Sequence, residues 1–263
     1  MQLDLSGRHA LVCGASQGIG RAAAIELAEL GASVTLLSRS ADALAALAAQ
    51  LPRPQAGQEH RWHAVDMLDT GKLLGIATDL AIAHPAQILI NNTGGPPGGP
   101  AHTAEPTAFE AAFRQHLLAG QVLVQALLPG MRASGYGRIV NVISTSVKEP
   151  IAGLGVSNTV RAAVAGWSKT LASELAADGI TVNNVLPGYT RTSRLDSLLA
   201  AQSTNSGRSA DDIAQGLLAG VPARRFGTPE EVAAVIAFLC TPAAAYVNGV
   251  SITVDGGRTR ALS

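Results

Sequence analysis

Short apolar runs alternate with longer segments of helical periodicity along most of the chain. Runs such as ALVCG and RIVNVI have little polar alternation, which is typical of strands buried on both faces of a parallel sheet. The pattern predicts seven strands, over residues 9–13, 33–37, 61–65, 87–90, 138–143, 181–186 and 250–254. It predicts helices over residues 20–30, 42–51, 106–133, 156–178 and 229–239. This alternation indicates an α/β fold, a doubly wound parallel sheet with helices on both faces.

The segments between these elements give no sign of a domain boundary. The GGPPGGP stretch at 94–100 is short and lies between patterned segments, so we interpret it as a loop. The stretch 200–212, AAQSTNSGRSADD, has the weakest pattern and is predicted to be a mobile loop. Thr228 and Pro229 are predicted to form the N-cap and first residue of the last helix. We therefore predict a single domain over residues 1–263.

Composition narrows the possible partners. The chain has 263 residues, 47% hydrophobic and 14% charged, which suits a large core rather than a disordered segment. The 19 basic and 19 acidic residues leave no basic excess for nucleic acid. No apolar run approaches the ~20 residues of a membrane span, and the early Asp4 is unlike a signal peptide. Cys13 and Cys240 are far apart and form no CxxC pair, so we expect no disulfide framework and a reducing cytoplasm. We also expect a small-molecule substrate and no metal.

A glycine-rich turn directly follows the first predicted strand. Gly14, Gly18 and Gly20 lie in CGASQGIGRAAAIELAELG, where the strand gives way to a helix. A phosphate approaching a helix N-terminus meets free backbone N–H groups and the positive end of the dipole, and side chains would block that approach. An ordinary glycine turn is the alternative. The context of strand, turn and helix nevertheless predicts a dinucleotide site.

The end of the second strand bears on the choice of cofactor. An acidic residue there would bind the ribose 2′-hydroxyl of NAD, whereas VTLLSRS supplies Ser38 and Arg39 instead. The planar guanidinium of Arg39 suits a 2′-phosphate, although it could also be a solvated loop arginine. The sequence therefore favours NADP(H) and leaves NAD(H) open.

Further candidates follow the third and fourth strands. Asp66 is placed to accept from an adenine amino group, or else to cap the next helix. Asn91 and Asn92 lie at the carboxyl edge of the sheet, where ligands bind, and one of them could instead link neighbouring strands.

Several motifs together resemble the short-chain dehydrogenase/reductase family, in its 3-oxoacyl-carrier-protein-reductase-like branch. They are GASQGIG at 14–20, NNTG at 91–94, GRIVNVIS at 137–144, ITVNNVLPGYTRT at 180–192, GTPEEVA at 227–233 and VDGG at 254–257. The resemblance covers essentially the whole chain and implies a Rossmann fold with a homodimer or homotetramer, the long helices 106–133 and 156–178 pairing across an interface. The cofactor-binding residues that it and the turn imply are Gly14, Ser16, Gln17, Gly18, Ile19, Gly20, Ser38, Arg39, Asp66, Met67, Asn92, Thr93, Gly94, Arg161, Pro187, Gly188, Thr190 and Thr192.

The resemblance also exposes a departure at the catalytic positions. The family uses a tyrosine as the acid, a lysine four residues later, an upstream serine and an asparagine on the preceding helix. The serine position is Ser144, but Ser157 replaces the tyrosine, Arg161 the lysine and His116 the asparagine. A serine hydroxyl is a far weaker acid than tyrosine, and a guanidinium stays protonated.

Three functions remain open on the sequence alone. The chain could be an oxidoreductase with an atypical active site, in which His116 or water delivers the proton because histidine titrates near neutral pH. It could be a catalytically silent NADP(H)-binding sensor or partner subunit, or it could catalyse a different reaction. Ser157 could alternatively be a helix cap, Arg161 only a ribose ligand and His116 an interior histidine. Arginines at 191, 194 and 208 could meet an acidic ligand group, although such residues more often form a solvated face.

Overall fold

The computed structural model describes residues 1–262 and places all seven predicted strands in one parallel sheet. The strands are β1 (His9–Cys13), β2 (Ser33–Ser38), β3 (His60–Ala64), β4 (Ile88–Asn91), β5 (Gly137–Val142), β6 (Ile180–Pro187) and β7 (Ser251–Val254). Their order across the sheet is β3-β2-β1-β4-β5-β6-β7, with every neighbouring pair parallel. The predicted doubly wound α/β fold is therefore confirmed, with strand boundaries within one residue of the prediction.

Helices cover both faces of this sheet. They are α1 (Gly18–Glu29), α2 (Ala41–Gln50), α3 (Thr70–Ala83), α4 (Pro106–Phe113), α5 (Ala119–Ser134), α6 (Gly155–Leu175), α7 (Ser193–Ser206), α8 (Ala210–Ala219) and α9 (Pro229–Cys240). One core cluster joins α1, α2 and α9 to the sheet, and a second joins α3, α5 and α6 to the opposite face. Among residues 1–262, no helix is both long and apolar enough to pass through a lipid bilayer.

The predicted loop over 200–212 is wrong. The segment belongs to α7 and α8, which are separated by Gly207 in the left-handed region at φ +69°. The side chain of Ser209 caps α8 by accepting from the backbone N–H of Asp212 at 3.0 Å. Because α7 buries only Leu195, its sequence lacks the apolar periodicity on which the prediction rested.

The long helix predicted over 106–133 is interrupted. After α4, residues Arg114–Leu118 form a π-helical segment before α5 begins. Such π-bulges concentrate at functional sites because they alter the direction of a few side chains without ending the helix. Here the altered segment contains His116, the residue at the family's asparagine position.

The order of the strands determines where a ligand can bind. The chain leaves β1 toward β2 and β3, then crosses back to add β4 on the other side of β1, so a crevice opens between the carboxyl ends of β1 and β4. Buried hydrogen bonds between side chains stiffen this region. Asn91 donates to Asn141 at 2.8 Å, and Ser168 donates to Asn184 at 2.6 Å. Asn91 therefore links β4 to β5, the structural role expected of one of the paired asparagines.

Candidate active site

A cleft of about 590 Å³ opens along the carboxyl ends of the central strands. Its walls come from the glycine turn, the ends of β2, β4, β5 and β6, the first residues of α6, and α7. The predicted site residues in its lining are Gly14, Ser16, Gln17, Gly18, Ile19, Ser38, Arg39, Asp66, Met67, Asn92, Thr93, Gly94, Ser144, Ser157, Arg161, Pro187, Gly188, Thr190 and Thr192. Gly20 and His116 lie outside this lining.

The glycine turn leaves room for an anion at the start of α1. Gly14 and Gly18 have φ values of +61° and +56°, a region that other residues rarely adopt. A Cβ on Gly14 would lie 2.6 Å from the backbone oxygen of Asn92. The N-terminus of α1 has no side-chain cap and no acidic residue in its first turn. Its N–H groups and positive dipole end therefore suit the pyrophosphate of a dinucleotide.

Gly20, in the first turn of α1, packs closely against the glycine turn and Asn92. A Cβ at this position would lie 2.3 Å from the backbone oxygen of Gly14 and 2.7 Å from Nδ2 of Asn92. The same Asn92 amide donates to the carbonyls of Cys13 and Gly14 at 3.4 and 3.3 Å. Gly20 thus allows helix and turn to approach closely, which explains why it has no place in the cleft lining.

Arg39 lies at the outer end of the cleft, after β2. Its side chain is 82% exposed, and Nη1 is 4.0 Å from Oδ2 of Asp66, a loose ion pair in solvent. Asp66 accepts a hydrogen bond from the N–H of Leu68, whereas the N-cap of α3 is Asp69. The alternative that Asp66 caps the next helix is therefore wrong, and both side chains remain available to a ligand.

Ser144, Ser157 and Arg161 meet at the inner end of the cleft. Ser144 follows β5, and its Oγ accepts from the N–H of Ser146 at 3.1 Å. Ser157 and Arg161 lie one turn apart in α6, with Arg161 Nε 3.4 Å from Ser157 Oγ. Because the N-cap of α6 is Leu154, the alternative that Ser157 caps the helix is wrong.

Arg161 is a buried cation fixed to the end of β5. Its Nη1 donates to the carbonyls of Val142 and Ile143 at 3.1 and 2.8 Å. Burial first, and the charge of Arg194 second, lower the pKa of Arg161 to about 10. Arg161 therefore stays protonated near neutral pH and contributes positive charge beside Ser157.

His116 lies in a smaller cavity behind the cleft, together with Thr93, Asn91 and Asn141. The hydroxyl of Thr93 is 2.7 Å from its Nδ1. Burial lowers the pKa of His116 to about 3, with the charges of Arg161 and Arg194 acting in the same direction. The expectation that this histidine titrates near neutral pH is wrong, because the surroundings keep the imidazole neutral.

Two arginines of the cleft have no motif that marks them in the sequence. Arg194, on α7, donates through Nη2 to the carbonyl of Pro96 at 2.6 Å. Arg258, beyond β7, donates to Thr145 at 3.1 Å and lies 5.1 Å over the ring of Tyr189. Each arginine is distant in sequence from the residues that it contacts, so only folding brings it to the site.

Comparison with known proteins identifies the family. A family model described as Enoyl-(Acyl carrier protein) reductase matches residues 14–259. The NADPH-dependent reductase BacG of Bacillus subtilis (strain 168) is 30% identical over 262 residues, which cover 98% of this chain and 100% of that protein. The 3-oxoacyl-[acyl-carrier-protein] reductase FabG of Vibrio harveyi is 32% identical over 258 residues, covering 97% of this chain and 98% of that protein.

Solved structures agree with the sequence relatives. The L-sorbose reductase from Gluconobacter frateurii, complexed with NADPH and L-sorbose, is similar with a TM-score of 0.92 and 31% identity, covering 100% of both chains. The NADPH dependent reductase YwfH, involved in bacilysin biosynthesis, has a TM-score of 0.91 and 29% identity over 98% of this chain and 100% of that one. The matches span the glycine turn, the sheet and the C-terminal motifs alike, and this chain belongs to the short-chain dehydrogenase/reductase family of oxidoreductases.

Proposed function

We propose that this chain is an NADP(H)-dependent oxidoreductase that interconverts a carbonyl and an alcohol in an atypical active site. One observation carries the proposal: a single cleft runs from the glycine turn and Arg39 to Ser144, Ser157 and Arg161. Relatives described as NADPH-dependent, or complexed with NADPH, support the choice of cofactor.

The outer half of the cleft would hold the adenosine and phosphate groups. The open N-terminus of α1 would bind the pyrophosphate, and Arg39 with Ser38 would bind the 2′-phosphate. Asp66 would accept from the adenine amino group. Thr190 and Thr192, after β6, would contact the nicotinamide end.

The inner half would perform the chemistry without tyrosine or lysine. NADPH, when bound, supplies the hydride. The hydroxyls of Ser144 and Ser157 would donate to the substrate carbonyl oxygen, and the charge of Arg161 would stabilise the developing oxyanion. Since Arg161 retains its proton and His116 is neutral, a water at the serine hydroxyls is the proton source that we propose.

The first test is turnover and its dependence on Ser144. We expect purified protein to oxidise NADPH with at least one member of a carbonyl panel. Ser144→Ala should lower kcat by about 10²-fold because one hydrogen-bond donor to the oxyanion is lost. Tight NADPH binding without any turnover would instead favour the silent binding protein.

Cofactor selection depends on Arg39. We expect Arg39→Gln to weaken NADPH binding by about 10-fold. One charge-assisted contact to phosphate contributes roughly 1.5–3 kcal/mol, and solvent screening reduces this at an exposed side chain. Binding of NADH, which lacks the 2′-phosphate, should stay within twofold. Calorimetric titration of wild type and variant with each cofactor measures this difference. Equal losses of affinity for NADPH and NADH would argue against a contact between Arg39 and the 2′-phosphate.

Assembly belongs to the same proposal. We propose a homodimer or homotetramer in which α5 and α6 contribute to an interface. The apolar side chains of Phe113 and Leu118, at the junction of α4 and α5, are 39% and 37% exposed in the single chain, which is consistent with a covered surface there.

A further inference from the structure

Two arginines converge on one point in the inner cleft. A Cβ built on Gly95 would lie 3.3 Å from Nη2 of Arg194 and 3.5 Å from Nη2 of Arg161. Both side chains line the cleft, although they come from α6 and α7. Their two guanidinium groups therefore face the same small space beside Gly95.

Within residues 1–262, neither arginine has an acidic group within 4.0 Å. Among residues 1–262, the ion pairs within 4.0 Å join other arginines to acids: Arg39 to Asp66, Arg61 to Glu59, Arg132 to Asp178 and Arg225 to Glu231. The donors of Arg161 go to Val142, Ile143 and Ser157 through Nη1 and Nε, and Nη2 donates to no group in the described chain. Arg161 is buried and Arg194 is half-buried, and two adjacent charges of one sign that are partly removed from water normally occur where an anion completes the group.

The electrostatics of the surrounding wall agree with this geometry. Burial is the first cause of the lowered pKa of both arginines, and the charge of Arg194 is the second cause for Arg161. The same two charges also lower the pKa of the buried His116. The inner cleft is therefore an electropositive region.

The location of the pair separates it from the phosphate sites of the cofactor. Arg161 contacts Ser157 and the end of β5, and Arg194 contacts the loop at Pro96, which follows β4. The glycine turn that suits a pyrophosphate lies at the start of α1, and Arg39 lies after β2. Gly95, Ser144 and Ser157 line the same cleft, so a substrate whose carbonyl meets the two serines has room to extend toward the arginine pair.

We propose that Arg161 and Arg194 together bind an anionic group, a carboxylate or a phosphate, of the carbonyl substrate. The proposal rests on the proposed function and specifies the substrate class of that site. Guanidinium groups bind such anions through their planar fork, which fixes orientation as well as charge. An anion held here aligns the carbonyl with the serine hydroxyls.

The test compares matched anionic and neutral probes. The pairs are 2-oxohexanoate with its methyl ester, and dihydroxyacetone phosphate with dihydroxyacetone, so the two arms distinguish carboxylate from phosphate. We expect wild-type kcat/KM to favour one anionic member by at least about 10-fold, a factor in keeping with a charge-assisted contact. Arg194→Gln should reduce that preference to within threefold, mainly by raising KM.

The variants separate charge from loop structure. Arg194→Gln removes the charge and leaves an amide donor on a shorter side chain, whereas Arg194→Lys keeps the charge without the planar fork. Arg194→Lys should retain part of the preference. Arg191→Gln is the matched control, because Arg191 is an exposed arginine outside the cleft lining and should behave as wild type. Calorimetric binding of hexanoate to the protein without cofactor gives a readout independent of turnover.

The outcomes are separable from those of the proposed function. Equal use of the anionic and neutral members would overturn the anion site while leaving NADPH-dependent reduction intact. A tenfold loss of NADPH affinity in Arg194→Gln with an unchanged preference would assign Arg194 to the cofactor and also overturn it. Absence of NADPH binding in wild type would overturn the proposed function, and the hexanoate titration would still decide whether the arginine pair binds an anion.

Discussion

Arg161→Met should lower kcat/KM for NADPH-dependent reduction by about 10³-fold. The guanidinium is a cation held beside Ser157, and removal of one preorganised oxyanion-stabilising group costs about 10²–10³ in rate. The variant would also lose the proposed contact between Arg161 and the anionic group of the substrate, which lowers kcat/KM further. Methionine is unbranched and apolar, so it fills similar space without supplying charge. Steady-state kinetics on the best member of the carbonyl panel measures the effect.

A second buried arginine provides the control for lost stability. Arg138 is 3% exposed and donates through Nη1 to the carbonyls of Gly137 and Gly179 at 2.8 and 3.2 Å. It lies at the amino end of β5, opposite the cleft. Arg138→Met and Arg161→Met should both destabilise the fold by about 1–3 kcal/mol through orphaned carbonyls. Only the second should change kinetics, and equal kinetic losses in both variants would remove Arg161 from the chemistry.

Arg161→Met should also change the pKa of His116. The charge of Arg161 is one cause of the lowered pKa of about 3, after burial. Loss of a nearby positive charge favours the imidazolium, so Arg161→Met should raise the pKa of His116 while leaving it below 6.5, because burial persists. Histidine resonances followed by NMR across pH would show the shift. Arg138→Met should leave them unchanged.

Prediction from sequence succeeds where apolar pattern and burial agree. Strands β1, β2, β4, β5 and β6 are recovered because they are buried in the core, which favours largely apolar runs. The edge strands β3 and β7 are only partly buried, and the alternation of elements along the chain predicts them as well. The N-cap of α9 is recovered as well, since Thr228 and Glu231 form a capping box that the sequence displays directly. The glycine turn is recovered because its φ values and close approaches require glycine.

Prediction from sequence fails where tertiary contacts determine the local structure or the environment of a side chain. Helix α7 buries only Leu195, so nothing in its pattern distinguishes it from a loop. The π-helical segment Arg114–Leu118 has no local sequence signal. The convergence of Arg161 and Arg194 is invisible along the chain, because Arg194 looks like a solvated arginine until α7 folds over the cleft. The usual pKa of histidine predicts that His116 titrates near neutral pH, but burial lowers the pKa of this side chain.

Gly20→Ala should weaken NADPH binding by at least about 10²-fold. The new Cβ would lie 2.3 Å from the backbone oxygen of Gly14, and neither the turn nor α1 can retreat without moving the N–H groups proposed to bind the pyrophosphate. Overpacking of this kind also costs about 1–3 kcal/mol of stability. Thermal unfolding with and without NADPH separates the two losses, because the ligand-dependent rise in Tm reports affinity.

Gly75→Ala is the matched control for this substitution. Gly75 lies on an exposed part of α3, and an added Cβ there would meet no atom within 4 Å. Alanine in an open helical position should stabilise the fold by about 0.5–1 kcal/mol and leave NADPH affinity unchanged. If Gly20→Ala kept wild-type affinity with only its Tm lowered, the close packing of Gly14, Gly20 and Asn92 would serve the fold alone. The pyrophosphate would then have to bind elsewhere in the cleft.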